Sequence, residues 1–248
     1  YYFSVANPRR NVEYRFKIVN MMKPDSLYNV GMKPLIYSDQ KAKQEKIGWH
    51  RSGSDICYYA TNMKRKNSGY YNALCFTLKF ECKSWGMVDD NDCVYIAHCY
   101  PYTYTQLQKY LRNIENDPVK KNRMVRKTLC LTESGNNCDY ITIGEGPNSK
   151  EKRAIVLTSR VHPGETMVSY LIEFIIDFLL SNHPIARTLR DNFIFRIIPM
   201  LNPDGVIIGN YRCNLTGADL NRQWIDPSRK NHPTIYYAKN VLFISYSS

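Results

Sequence analysis

The sequence concentrates its chemistry in the run Ser159-Arg-Val-His162-Pro163-Gly164-Glu165-Thr166. Pro163 and Gly164 favour a tight turn, and His162 and Glu165, three apart, then project from one side of it. An imidazole and a carboxylate placed this way supply two of the three protein ligands of a catalytic zinc of the His2Glu type. The plainer alternative is a strand–turn–helix corner in which Glu165 only answers a helix dipole. A second run, Gly209-Asn-Tyr-Arg212-Cys-Asn-Leu-Thr-Gly-Ala-Asp-Leu-Asn221-Arg222-Gln-Trp224, puts two arginines and an asparagine on glycine-punctuated backbone. An arginine fork grips a carboxylate through two bonds, and a neighbouring amide adds a neutral donor. Arg212 could hold a developing oxyanion.

Other candidates weigh less. Cys93, His98 and Cys99 resemble a metal cluster, but their composition reads as a strand. Alternating side chains then put both cysteines on one face and His98 on the other. None of the eight cysteines forms a CxxC pair, so reduced, buried thiols in a reducing compartment are expected. The triplet Asn214-Leu-Thr216 is a glycosylation sequon. The net charge of +12 favours an anionic partner, and residues 109–127 carry seven basic side chains against Glu115 and Asp117. No groove-reading motif accompanies that run, so nucleic acid is disfavoured. No apolar stretch approaches the roughly 18 residues a spanning helix needs, and no membrane association is expected.

The elements that must position these residues fall into two groups. Residues 14–20, 73–81 and 93–98 alternate apolar and polar, with Gly, Asn, Asp and Ser clusters at residues 66–69 and 89–92. Short strands with such punctuation predict an N-terminal antiparallel β-sandwich over residues 1–103. From residue 104 the pattern changes. It predicts a helix capped by Thr103 or Thr105, strands at 140–143, 154–158 and 193–198, an apolar helix at 166–181 and a late helix from Thr234. Alternating strands and helices imply an α/β layer, so the whole chain reads as α+β. The Asn202-Pro-Asp-Gly205 run reads as a loop, since Asn-Pro and Asp-Gly are turn signals.

These motifs, taken together, resemble the cytosolic carboxypeptidases, a branch of the zinc metallocarboxypeptidases that removes glutamates from tubulin and other proteins. His162-Pro-Gly-Glu165-Thr, Asn202-Pro-Asp-Gly-Val, residues 209–224, Asp226-Pro-Ser and His232-Pro-Thr-Ile-Tyr carry the resemblance in order and spacing. It implies that His162 and Glu165 are zinc ligands, that Arg212 polarises the scissile carbonyl, and that Asn221 and Arg222 bind the terminal carboxylate. It also implies a cytoplasmic, microtubule-associated enzyme whose partners are acidic, polyglutamate-bearing tails of the tubulin kind. A third ligand histidine and a glutamate base do not follow within these residues: after Glu165 the histidines are His183 and His232, and no glutamate follows Asp191. The resemblance therefore implies an incomplete α/β metallocarboxypeptidase domain over residues 104–248, part of a longer chain. As written, it is expected not to hydrolyse peptides. The alternative is a non-catalytic module that binds acidic tails.

Overall fold

The computed structural model describes residues 1–9, 11–66, 68–80, 92–146 and 152–246. The chain divides into two compact units, Tyr1–Tyr100 and Pro101–Ser248.

The first unit contains β1 (Tyr2–Ala6), β2 (Glu13–Met21), β3 (Leu35–Ser38), α1 (Asp39–Gln44), β4 (His50–Arg51), β5 (Ser54–Lys64), β6 (Tyr70–Lys79) and β7 (Cys93–Ala97). They form two antiparallel sheets, ordered β1-β7-β3-β4 and β2-β6-β5. The three alternating segments read from the sequence fall on β2, β6 and β7. Leu74, Phe76 and Leu78 of β6 share one apolar cluster with Val94 and Ile96 of β7. Fully burying a side chain such as Phe76 contributes about 1.5–3 kcal/mol. β6 is the central strand of its sheet, and Cys75 on its other face is buried as well. Of the two turn clusters, Asn67 and residues 89–91 lie outside the described residues. Asp92 is described, and accepts hydrogen bonds from the Ser38 hydroxyl at 2.8 Å and the Gln40 amide at 3.1 Å.

The second unit contains α2 (Tyr104–Asn116), β8 (Met124–Leu131), β9 (Asn137–Ile143), β10 (Arg153–Thr158), α3 (Met167–Leu180), α4 (Pro184–Asn192), β11 (Phe193–Ile198), α5 (Pro203–Ile208) and α6 (Pro233–Tyr246). Thr103 is the cap of α2, and Gln106 completes a capping box with it. The sheet order is β10-β11-β9-β8. β10 and β11 are parallel, joined by a crossover through α3 and α4, and the other pairs are antiparallel. Ile141, Ile143, Phe195 and Ile197 pack against Leu107 and Leu111 of α2 and Ile172 and Ile176 of α3. Cys138 and Ile198 belong to a second cluster with Ile235 and Ala238 of α6. Helices therefore bury both faces of the sheet, giving a mixed α/β layer.

Two acids sit within the apolar helix α3. The Tyr102 hydroxyl donates to Glu173, and Lys120 meets Asp177 at 2.8 Å. The parallel register pairs Thr158 with Ile198, the last residues of β10 and β11. Both strands thus deliver their following loops to the same edge of the sheet, where sites in open α/β sheets form. The Ser159 amide donates to the Ile198 carbonyl and the Leu201 amide to the Ser159 carbonyl, both at 2.9 Å, locking the two loops together.

The expected loop at Asn202 is a correction. Residues 203–208 form the helix α5: Asn202 caps it, accepting from the Gly205 amide at 3.0 Å, and Pro203 occupies its first turn. Asn-Pro opens a helix as readily as a turn, because proline is favoured where the amide would be unpaired.

Candidate metal centre

After β10 the chain enters the ligand turn through Arg160, whose φ is +52°. Its side chain is buried. It donates to the Pro163 carbonyl (2.8 Å), the Ser169 hydroxyl of α3 (2.7 Å) and the Tyr102 carbonyl (3.2 Å). One guanidinium thus ties the turn to α3 and to the start of the unit. The turn closes as the Glu165 amide donates to the His162 carbonyl at 3.2 Å, while the Gly164 amide donates to the Tyr211 carbonyl at 2.7 Å. A Cβ on Gly164 would stand 2.4 Å from the Tyr211 ring, and one on Gly205 would stand 2.5 Å from Pro163. The two glycines let the 209–224 loop and α5 press directly on the turn.

His162 is 6% exposed. Its Nδ1 lies 2.9 Å from Glu165 Oε1, and its Nε2 lies 3.0 Å from Asp219 Oδ1. The other Asp219 oxygen accepts from Arg212 Nε at 2.8 Å. The Asn221 amide also donates to Asp219, at 3.0 Å. Burial pushes the Asp219 carboxyl up, but the bonds from His162, Arg212 and Asn221 outweigh it and hold the group below the usual carboxylate range. Asp219 therefore gathers His162, Arg212 and the Asn221 backbone around one carboxylate.

The donor set suits a divalent metal on the Glu165 side of the imidazole. Two ligands of a tetrahedral zinc at about 2.0–2.1 Å stand about 3.4 Å apart. His162 Nδ1 and Glu165 Oε1 need open only slightly to reach that spacing. Nε2–H then donates to Asp219, the carboxylate–histidine pairing that fixes tautomer and ring orientation in metal sites. Zinc, when bound there, would polarise a carbonyl and acidify a water. Two donors do not complete a zinc site. Among the described residues no group of three or more His, Cys, Asp or Glu side chains is placed to hold a metal. His183 caps α4, its Nδ1 accepting from the Ile185 amide at 3.2 Å. His232 Nδ1 accepts from the Ser228 amide, also at 3.2 Å. Both are engaged in local backbone contacts.

Arg222 and Asn221 follow Asp219 on one 3-10 turn, Leu220–Arg222. Both are exposed. Asn221 Oδ1 accepts from the Trp224 indole at 3.1 Å, and Arg222 Nη1 donates to the Asn221 carbonyl at 3.3 Å. The loop is anchored from behind by buried Asn214. Its amide donates to Glu133 (2.8 Å) and the Asn231 carbonyl (2.9 Å), and its oxygen accepts from Thr216 and the Ala218 amide (both 2.9 Å). The sequon asparagine is therefore a structural bracket. Buried Asp204 of α5 accepts from Thr132 (2.6 Å), the Ser134 amide (3.0 Å) and Asn136 (2.8 Å), tying the β8–β9 turn to the same region.

The structure brings His162, Glu165 and Arg212 together through Asp219, a residue that sequence reasoning did not name, with Asn221 and Arg222 on the turn that follows it. The available signal for Asp219 was a carboxylate two residues before an Asn-Arg pair. Three of the seven basic residues in the 109–127 run are tied into the fold. Arg126 pairs with Asp139 (2.8 Å) and Glu115 (3.0 Å), Lys120 with Asp177, and Arg123 donates to the carbonyls that end α3. The Cys93–Cys99 region holds no metal cluster among its described residues. His98 Nδ1 lies 3.0 Å from the Tyr28 hydroxyl, and its ring packs on Tyr28. The cysteines vary: Cys75 and Cys138 are buried, Cys57 is exposed. None of the described helices is long and apolar enough to cross a membrane.

Known proteins resemble this chain in sequence and in fold. Over 246 residues the chain is 46% identical to cytosolic carboxypeptidase 2 of Danio rerio, covering 98% of this chain and 33% of that protein. It is 43% identical to cytosolic carboxypeptidase 3 of Bos taurus, covering 98% of this chain and 24% of that protein. The chain thus spans about a third or less of the length of these relatives. The metallo-carboxypeptidase from Burkholderia cenocepacia superposes with a TM-score of 0.72 at 22% identity, over 98% of this chain and 57% of that one. The metallo-carboxypeptidase from Pseudomonas aeruginosa gives 0.72 at 19% identity, over 99% and 57%. Those two likenesses show the fold. The zinc carboxypeptidase model, Peptidase M14, matches residues 107–239, which is 133 of the 248 residues and includes both the ligand turn and the 209–224 loop. The chain belongs to the zinc carboxypeptidase family.

Proposed function

We propose that these residues supply two zinc ligands and the carboxylate-binding loop of an enzyme that removes C-terminal or side-chain glutamates from acidic protein tails, such as those of tubulin. The observation that carries this reading is the placement of His162 between Glu165 and Asp219, with Arg212 on the same Asp219. His162 and Glu165 hold the metal. Asp219 keeps His162 in the tautomer that leaves Nδ1 for the metal. Arg212 stands beside this group to receive charge developing on the scissile carbonyl. Asn221 and Arg222 grip the terminal carboxylate, which restricts cutting to chain ends. The third ligand and the base come from residues outside these 248. The first unit is read as a β-sandwich with its boundary near residue 103. The names of the relatives favour a cytoplasmic protein, the +12 charge favours anionic substrates, and microtubule association is part of the same proposal.

The test is glutamate release by the zinc-loaded full-length protein from peptides ending in a glutamate run. Release from the free-carboxylate peptide, and none from its C-terminal amide, is expected. Equal cutting of both, or no release from either, overturns the reading. For the 248 residues alone, the lack of a three-residue metal group among the described residues favours a second reading: a non-catalytic module that holds acidic tails. Glutamate release by the isolated 248-residue chain would sink it.

A further inference from the structure

Outside the metal centre, one pair of reactive side chains is brought together by the sheet. Cys130 on β8 and Cys138 on β9 are direct cross-strand partners, with a register irregularity just before Cys130. Both belong to the cluster on the α6 side of the sheet, Cys138 fully buried and Cys130 partly so. Directly opposed residues of an antiparallel pair have Cα atoms about 4.5–5.5 Å apart, inside the span of roughly 4.4–6.8 Å that a disulfide bridges. The two sulfurs can therefore join without moving the strands.

We propose that Cys130 and Cys138 form a reversible oxidation site, a dithiol that a peroxide converts to a cross-strand disulfide. The Cys130 thiolate attacks a peroxide oxygen. The O–O bond breaks, a proton completes the departing water, and Cys130 is left as a sulfenic acid. The Cys138 sulfur attacks the Cys130 sulfur, the S–O bond breaks, and the Cys138 proton leaves with the hydroxide as a second water. Two thiols are oxidised and one peroxide is reduced to two waters. The roles are set by position. Cys130 is the more accessible thiol, and the neighbouring Cys138 holds the Cys130 thiol below its usual range against the opposing effect of burial. Cys138 is the resolving thiol.

The bond reaches toward the metal centre. Cys138 Sγ lies 3.5 Å from the Met200 carbonyl, in the segment between β11 and α5, and its cluster includes Leu201 and Leu220. Leu220 follows Asp219, which holds His162. Drawing the Cys138 sulfur toward Cys130 withdraws it from Met200 and loosens the packing under Leu220. Cys57 and Cys75 are also cross-strand partners, but Cys75 Sγ meets the Tyr59 hydroxyl at 3.5 Å, so this second pair is the internal comparison.

The test is hydrogen peroxide titration of the reduced 248-residue chain. Thiols are then blocked in denaturant and the peptides mapped by mass spectrometry, beside backbone hydrogen exchange. A dithiothreitol-reversible peptide joining Cys130 to Cys138 is expected at lower peroxide than any other cross-link, with exchange at residues 219–222 rising several-fold. In Cys138→Ala, Cys130 should accumulate as a sulfenic acid trapped by dimedone. In Cys130→Ser neither product should form. Equal blocking of both thiols with and without peroxide, or pairing of either with another cysteine first, overturns the site. A cross-link with unchanged exchange at 219–222 overturns its reach into the metal centre. Wild-type mapping decides the site even if a variant fails to fold.

Discussion

Two hydrogen-bonded histidines, one in each unit, are withdrawn from solvent, His162 buried and His98 half-buried, yet they stand in different surroundings. His98 lies among Tyr1 and Tyr28, with ring centroids 5.8 and 5.6 Å away. Burial, above all, pulls it down to about 4. His162 has a carboxylate against each ring nitrogen, Glu165 at 2.9 Å and Asp219 at 3.0 Å. A histidine walled by phenol rings is kept neutral as a packing element. One held between two carboxylates has its tautomer fixed and a second donor beside it. A nearby cysteine or glutamate in the sequence does not distinguish them. What separates a core imidazole from a ligand is which groups face its two nitrogens.

The largest effect that could break this contrast is on metal binding. In the full-length protein, His162→Ala is expected to weaken zinc more than about 100-fold, beyond the loss typical of an orienting partner. His98→Ala should leave zinc affinity unchanged in a chelator competition. Equal losses in both would erase the distinction. Next, Asp219→Asn removes one anion but keeps the shape of the site. A loss of about 10–100-fold in zinc affinity is expected, whereas an unchanged affinity would reduce Asp219 to a loop bracket. Gly164→Ala tests the close approach behind His162. Its Cβ would meet the Tyr211 ring and carbonyl at 2.4 and 2.8 Å, and a cost of about 1–3 kcal/mol is expected in denaturant unfolding.

The smallest effect belongs to His98. Its native pKa, about 4, lies below the ordinary 6.5. As pH falls from 6.5 toward 4 the unfolded chain takes up a proton that the native chain refuses, so the first unit loses stability across that window. Above pH 6.5 the contribution is constant. His98→Phe should flatten this dependence, which thermal unfolding at several pH values would read.

The sequence disclosed the part of this contrast that depends on local pattern. Alternation marked β2, β6 and β7, and apolar content marked α3. The meeting of imidazole and carboxylate at the His162-Pro-Gly-Glu165 turn was legible because proline and glycine restrict the backbone there. Less legible were features set by tertiary partners. Residues 203–208 carry turn signals yet form α5, because Asn202 caps the helix and Asp204 finds three donors across the unit. Arg126 and Lys127 read as part of a basic run suited to an anionic partner, yet they lie on β8, where Arg126 is paired with Asp139 from the neighbouring strand. Asp219 was invisible for the same reason: its role comes from a histidine 57 residues away in sequence.

The central claim is that His162, and not His98, is the metal-facing histidine of these residues. Imidazole nitrogen NMR of the full-length protein during zinc titration tests it most directly. The account predicts that the His162 Nδ1 resonance moves on zinc addition while its Nε2 stays protonated, and that both His98 nitrogens stay fixed. Movement of the His98 nitrogens with His162 unchanged would contradict it.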